Sequence, residues 1–184
     1  MTVKHLTKEE LEAGLKDIMQ SPKDNGVIEM IVCRPEVDER DTLEIALLDL
    51  DEGLVGDNWK ARGSTATPDG SAHPDTQINI MNSRAIALLA QDKERWSLAG
   101  DQFFIDLDLG VENLPAGTRL AIGSAILEVT AKPHTGCDKF AARFGREAAL
   151  FVNSTEGKKL HLRGINAKVI QAGTVRVGDE VKKI

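Results

Sequence analysis

The stretch Lys132-Pro133-His134-Thr135-Gly136-Cys137-Asp138-Lys139-Phe140 carries the strongest chemical signal in this chain. It sets a thiol three residues after an imidazole, with ammonium groups on both sides. It follows a strand-like run, and Thr135 can cap the helix that the next residues predict. Cys137 would then lie in the first helical turn, where the helix dipole favours a thiolate. Lys132, His134 and Lys139 add positive charge, and each lowers a thiol pKa. Arg143 and Arg146 continue the basic character along the helix. A thiolate so placed would be a reactive one. Cys33, by contrast, sits in an apolar strand and reads as a buried, inert thiol.

Three further groups could face a ligand. Gly56-Asp57-Asn58-Trp59-Lys60 follows a strand, and reads equally well as a pocket-lining loop or a tight turn with an amphipathic Trp. Arg84 stands at a predicted helix start, where backbone N–H groups also attract anions. Arg163-Gly164 leads into a strand in the same manner. Gly173 to Val181 reads as turn geometry. There is no GxSxG, HExxH, P-loop or dinucleotide fingerprint, and no flavin, haem or iron–sulfur motif.

The elements that must position these groups are those of a globular chain. It has 184 residues, 41% hydrophobic and 28% charged, which suits one domain with a core that needs no disulfides. Two cysteines exclude a disulfide scaffold and a Cys-rich zinc site. The net charge of −6 argues against a DNA-binding protein, and 4% aromatics with no Tyr supply few base-stacking platforms. No apolar run approaches the roughly 18 residues of a membrane span. Met1-Thr2-Val3-Lys4-His5 leads into a charged helix and not an apolar signal region, so a cytoplasmic location is expected. The charge is uneven. Residues 1–131 hold 12 Lys+Arg and 24 Asp+Glu, whereas residues 132–184 hold 11 and 5. The C-terminal part is a basic element on an acidic body, either a solvated surface or an anion site, since local field and not net charge draws a ligand.

Thr7-Lys8-Glu9-Glu10 forms a capping box, and Leu11, Leu15 and Ile18 follow at helical spacing until Ser21-Pro22. Residues 1–25 thus read as an N-terminal helical extension on a domain of residues 26–184. Gly26 to Cys33 and Thr42 to Leu50 predict two strands that could pair as a hairpin. Gly63 to Asp75 predicts a long loop. Gln77 to Met81 alternates like a half-buried strand, and Asn82 or Ser83 caps a helix through about Arg95. Phe103 to Leu107, Arg119 to Ile122 and Ala125 to Thr130 predict strands, the last two joined at Gly123-Ser124. Thr135 to Val152 is mostly helical with a break at Gly145, and Ile165 to Ala172 and Glu180 to Lys183 predict the last strands. The fold class expected is mostly β with helices (α+β): a barrel-like sheet decorated by about three helices.

In this order and spacing the segments resemble the MOSC family, the domain named after the C-terminal part of molybdenum-cofactor sulfurases. Leu54-Val55-Gly56-Asp57 resembles its early Gly-Asp turn, and Gln77-Ile78-Asn79-Ile80-Met81 its central strand. Gly117 to Gly123 and Leu127 to Thr130 resemble the strand pair before its cysteine, which falls on Cys137. Gly173…Gly178-Asp179 resembles its closing turn. Pro133-His134 and Gly136-Cys137 stand where many members have Pro-Arg and Pro-Cys. The resemblance implies a MOSC-like barrel in which Cys137 ligates molybdenum of a phosphate-bearing pterin (molybdenum cofactor, molybdopterin) or carries a persulfide sulfur. Cys137 and His134 would be the reactive pair. Lys132, Thr135, Lys139, Arg143, Arg84 and Arg163 would serve the cofactor with Asp57, Asn58 and Trp59 from the facing loop. It implies an oxidoreductase acting on small N-hydroxylated compounds with an electron-donor protein. The alternatives are a sulfur carrier fed by a cysteine desulfurase, or a binding module without thiol chemistry. Pyridoxal phosphate is not expected within this chain, nor a nucleic-acid or membrane partner.

Overall fold

Seven of the β-branched runs close on themselves. The computed structural model describes residues 3–184; Met1 and Thr2, which open the segment read as lacking a signal region, lie outside the described residues. Strand β1 (Gly26–Cys33) pairs with β6 (Phe103–Asp106) on one side and β11 (Glu180–Lys183) on the other. From β11 the ladder continues through β7 (Arg119–Ile122), β8 (Ala125–Val129), β9 (Ile165–Gln171) and β5 (Ile78–Asn82) back to β6. All neighbours are antiparallel except β5 and β6, which run parallel. Closure leaves these seven strands without a free edge. Short β2 (Asp41–Leu43) is appended to β1.

The run Thr42 to Leu50 is not one strand. It divides at Glu44: β2 pairs with β1 as expected, while β3 (Ile45–Asp49) joins a separate sheet with β4 (Gly53–Leu54) and β10 (Gly173–Arg176). That pairing also makes a strand of Gly173 to Arg176, read from its glycines as turn. Tertiary pairing overrides local turn chemistry there, and Gly178-Asp179 alone makes the turn into β11.

Strand Ile78–Asn82 is buried throughout, not half-buried. One face (Ile78, Ile80) joins Ile28, Ile31, Phe103 and Ile105 inside the barrel, while Met81 joins Met30, Val32 and Phe104 beneath the helices. A register shift between Ile28 and Met30 lets β1 turn both Ile28 and Ile31 inward. The polar residues of β5 are buried and bonded: Asn79 within the site below, and Asn82 as cap of α3 (Ser83–Ala90) through its Oδ1.

Helix α1 (Lys8–Ile18) has the expected capping box at Thr7 and Glu10, and sets Leu11 and Ile18 into the helix-covered core. Helix α3 stops at left-handed Gln91, earlier than expected, and a 3₁₀ segment (Lys93–Ala99) follows. Helices α4 (Asp138–Phe144) and α5 (Arg146–Asn153) divide at Gly145 as expected. Short α2 (Trp59–Arg62) and α6 (Thr155–Lys159) are additions to the expected set. No helix among the described residues is long and apolar enough to cross a membrane.

Candidate functional site

Two buried ion pairs frame a recess at one rim of the barrel. Arg34, at the end of β1, grips Asp57 in bidentate fashion, with Nη2–Oδ1 at 2.7 Å and Nε–Oδ2 at 2.9 Å. Asp57 also accepts the backbone N–H groups of Arg34 and Trp59, while Arg34 Nη1 donates to Asn79 Oδ1 and the Gly100 carbonyl. The second pair joins Arg163 Nη1 to Asp101 Oδ2 at 2.6 Å, with His134 Nε2 on the other carboxylate oxygen at 2.9 Å. The Arg163 guanidinium lies over the Phe140 ring, 4.9 Å from its centroid.

Burial acts on this triad first. It would raise the Asp101 carboxyl, but Arg163 and His134 outweigh it and hold Asp101 below the usual carboxylate range. Burial, then Arg163, hold His134 below the usual imidazole range despite Asp101. The neutral imidazole must therefore donate Nε2–H to ionised Asp101, which leaves Nδ1 unprotonated.

Between the two pairs lies a cavity of about 270 Å³ with Cys137 among its lining residues. Five arginines line it: Arg34, Arg40, Arg62, Arg143 and Arg163. Asp38 answers Arg143 at 3.2 Å and Lys139 at 3.5 Å. Among the described residues, no carboxylate lies within ion-pair reach of Arg40 or Arg62. Burial, then Arg143 and Arg34, push Arg40 below its usual range. Arg62, although its side chain reaches solvent, is lowered by desolvation and then by Arg34. This mutual repulsion is what an anion would relieve. Among the described residues, three buried side-chain polar atoms have no hydrogen-bond partner, Arg40 Nε, Asn58 Oδ1 and Arg163 Nε, and all three residues line this cavity.

Cys137 is a free, exposed thiol. It is the N-cap of α4 and not a first-turn residue, and its side chain makes no capping bond. Thr135, expected as the cap, lies too early for that role. The loop before Cys137 is held instead by Asn153, whose Oδ1 accepts the Gly136 N–H and whose Nδ2 donates to the Gly136 carbonyl, each at 2.9 Å. A Cβ on Gly136 would stand only 3.0 Å from Val152 and 3.2 Å from Asn153. Proline there would also lose the N–H bond, which accounts for glycine before this cysteine. Asn153→Ala is expected to cost about 1–3 kcal/mol, lowering the melting temperature by several degrees and speeding alkylation of Cys137. An unchanged melt would show that the clamp contributes nothing.

Of the residues singled out from sequence, Cys137, His134, Lys139, Arg143, Asn58 and Arg163 meet at this cavity. Asp57 lies beneath it as the partner of Arg34. Trp59 is buried, donates Nε1–H to Thr76, and lines an adjoining recess that also involves Arg62, Asn79 and His134. Lys132 and Thr135 line a different, larger cavity behind His134. Arg84 is not at the site: its guanidinium binds Asp106 at 2.9 Å and lies 3.6 Å from Asp17 of α1, tying the N-terminal helix to the barrel. Cys33 is buried as expected, its thiol raised first by burial and then by Asp57 and Asp41.

Sequence reading missed Arg34, Arg40, Arg62 and Asp101. For Arg34 a signal existed, a charge closing an apolar strand just before Pro35. Arg40 and Asp101 stand in loops, and Arg62 ends a one-turn helix, all without local pattern.

A closed β-barrel with helices over one wall defines an α+β protein that carries an exposed thiol at an arginine-lined rim. The MOSC domain family matches residues 67–182, more than half of the chain, and the chain belongs to that family. No curated protein matches it. Among solved structures, the YuaD protein from Bacillus subtilis is similar with a TM-score of 0.60 at 19% identity, over 86% of this chain and 95% of that one. YiiM from Escherichia coli is similar at 0.55 and 20%, over 86% and 69%. YiiM from Geobacillus stearothermophilus gives 0.55 and 15%, over 86% and 75%. At these identities the likeness is one of fold.

Proposed function

We propose that this MOSC domain holds a phosphate-bearing pterin molybdenum cofactor in the arginine-lined cavity, with Cys137 as the protein's ligand to the metal. The observation that carries the reading is that Arg40, Asn58 and Arg163, each with an unpartnered buried polar atom, line a cavity that Cys137 also lines. Two are guanidinium N–H donors, suited to phosphate oxygens, and the third is an amide oxygen, suited to pterin N–H groups. No cluster of three His, Cys, Asp or Glu side chains among the described residues could hold a metal ion. A metal at Cys137 would therefore need most of its ligands from the cofactor, and a soft thiolate suits that role.

Arg40 and Arg62, free of carboxylate partners, would take the anionic group. Arg34 and Arg163 are held rigid by Asp57 and Asp101 and give the site its shape. Neutral His134 can accept a proton at Nδ1 while Asp101 fixes its ring. When bound, the cofactor supplies the redox chemistry, and reduction of a small N-hydroxylated compound is the reaction we assign, with electrons from a separate donor protein.

The test is molybdenum analysis with pterin fluorescence on protein made in a cofactor-producing host. Wild type should carry both, and Cys137→Ala should lose the metal, while the two proteins stripped of cofactor should melt alike, because the thiol is exposed and unbonded. Absence of metal and pterin from wild type would overturn the reading.

The exposure of Cys137 favours a second reading, a sulfur relay. The Cys137 thiolate would attack the outer sulfur of a desulfurase persulfide, releasing the donor thiolate and leaving a persulfide on Cys137, with no net oxidation. Mass spectrometry after incubation with a cysteine desulfurase and cysteine would show one added sulfur, absent in Cys137→Ala.

A further inference from the structure

A second cavity, of about 570 Å³, lies behind His134 and shares only that residue and Arg163 with the lining of the Cys137 cavity. Its floor is aliphatic, with Leu114, Val129, Val152 and Ile165 all buried. Its remaining polar side chains are largely spoken for. Thr130 donates to the Asp75 carbonyl, and Asn166 Nδ2 donates to the carbonyls of Lys132 and Pro133. No aspartate or glutamate lines it. Two lysines do, Lys132 and Lys158, and neither ammonium group has an ion-pair or hydrogen-bond partner among the described residues. His161 completes the polar side. Its Nδ1 bonds the Leu109 carbonyl at 2.7 Å, so the proton is on Nδ1 and Nε2 is an acceptor without a partner among the described residues. This histidine holds φ at 50°, a left-handed conformation that non-glycine residues seldom adopt.

We propose that this cavity binds an amphipathic anion, a carboxylate on a medium-length aliphatic or aryl body. The aliphatic floor takes the body, and the Lys132 and Lys158 ammonium groups take the head. The volume lies within the range of small-molecule sites, and an apolar interior with a few convergent polar groups is their usual composition. A cationic ligand finds no carboxylate in the lining, and a fully polar one leaves the floor unused. The site does not require a cofactor at Cys137, since the two cavities differ in all but two lining residues.

Calorimetric titration of the full chain with octanoate, octanol and octyltrimethylammonium separates body from head. Octanoate should bind one-to-one and about tenfold tighter than octanol, as expected of two partly solvated ion pairs, and the cation should not bind. The double substitution Lys132→Gln and Lys158→Gln should bring octanoate down to the octanol value and leave octanol unchanged. Ala116→Trp should remove both ligands; Ala116 is exposed in the lining, and Ala131→Trp provides a second blocking variant should the first fold poorly. The proposal is overturned if octanoate shows no saturable binding, if the three heads bind alike, if the lysine variant binds octanoate as wild type does, or if both tryptophan variants, folded by circular dichroism, still bind it.

Discussion

Asp101→Ala is expected to lower stability by about 3–5 kcal/mol, the cost of leaving a buried charge without its partner. Asp101 is fully buried, and the Arg163 guanidinium it neutralises is almost so. Without the carboxylate, Arg163 keeps the Ala99 carbonyl, a weak contact with the Met81 sulfur and the face of Phe140, none of them charged. For a chain of this length the melting temperature should fall by roughly 6–20 °C. The urea midpoint should fall with an unchanged slope if folding stays two-state. A melt within a degree or two of wild type would refute this account of the triad.

The same triad sets a pH dependence. Asp101 and His134 both have folded pKa values below their unfolded ones. As pH falls, the unfolded chain takes up each proton before the folded chain does, so stability is lost. The imidazole contribution is fully present above about pH 6.5 and fades as pH falls below it. The carboxyl contribution is present above about pH 4 and fades below that. In Asp101→Ala the lower window should vanish. The upper one should deepen, because Arg163 still repels a His134 cation that Asp101 no longer supports. Urea midpoints measured between about pH 3 and pH 8 would separate the two windows.

Asp57→Ala is the second large effect, again about 3–5 kcal/mol. Arg34 would retain only the neutral oxygens of Asn79 and Gly100. Its unneutralised charge would add to Arg40 and Arg62, both of which it already depresses. Arg34→Met should cost less, because Asp57 keeps two backbone N–H donors, from Arg34 and Trp59, that satisfy its charge. The double substitution Arg34→Met and Asp57→Asn should be milder than the sum of its single changes by more than about 1 kcal/mol. Strict additivity would show that the pair does not act as a unit.

Local pattern was enough for most of the barrel. The β-branched runs, the Gly123-Ser124 hairpin and the Gly145 break all appear at their expected places. It failed where pairing was remote. Glu44 divides one apolar run between two sheets, and β10 forms only because β3 lies beside it. The fully buried state of β5 could not be read either, since its polar asparagines are satisfied by residues far along the chain. At the site, the thiol, the nearby imidazole and the basic helix were legible because they are neighbours in sequence. Arg84 looked equivalent to them at a helix start, yet its bonds to Asp106 and Asp17 turn it to structural use.

The sequence by itself determined the thiol, its cationic company and the order of segments that marks a MOSC domain, because each is a matter of residue type and short spacing. Only the tertiary structure decided which charges remain free. Arg34 and Arg163 are neutralised by acids 23 and 62 residues away, while Arg40 and Arg62 are not. Pairing depends on distances of a few ångströms across the barrel rim, and the Coulomb term that separates a neutralised arginine from an anion-binding one is set there.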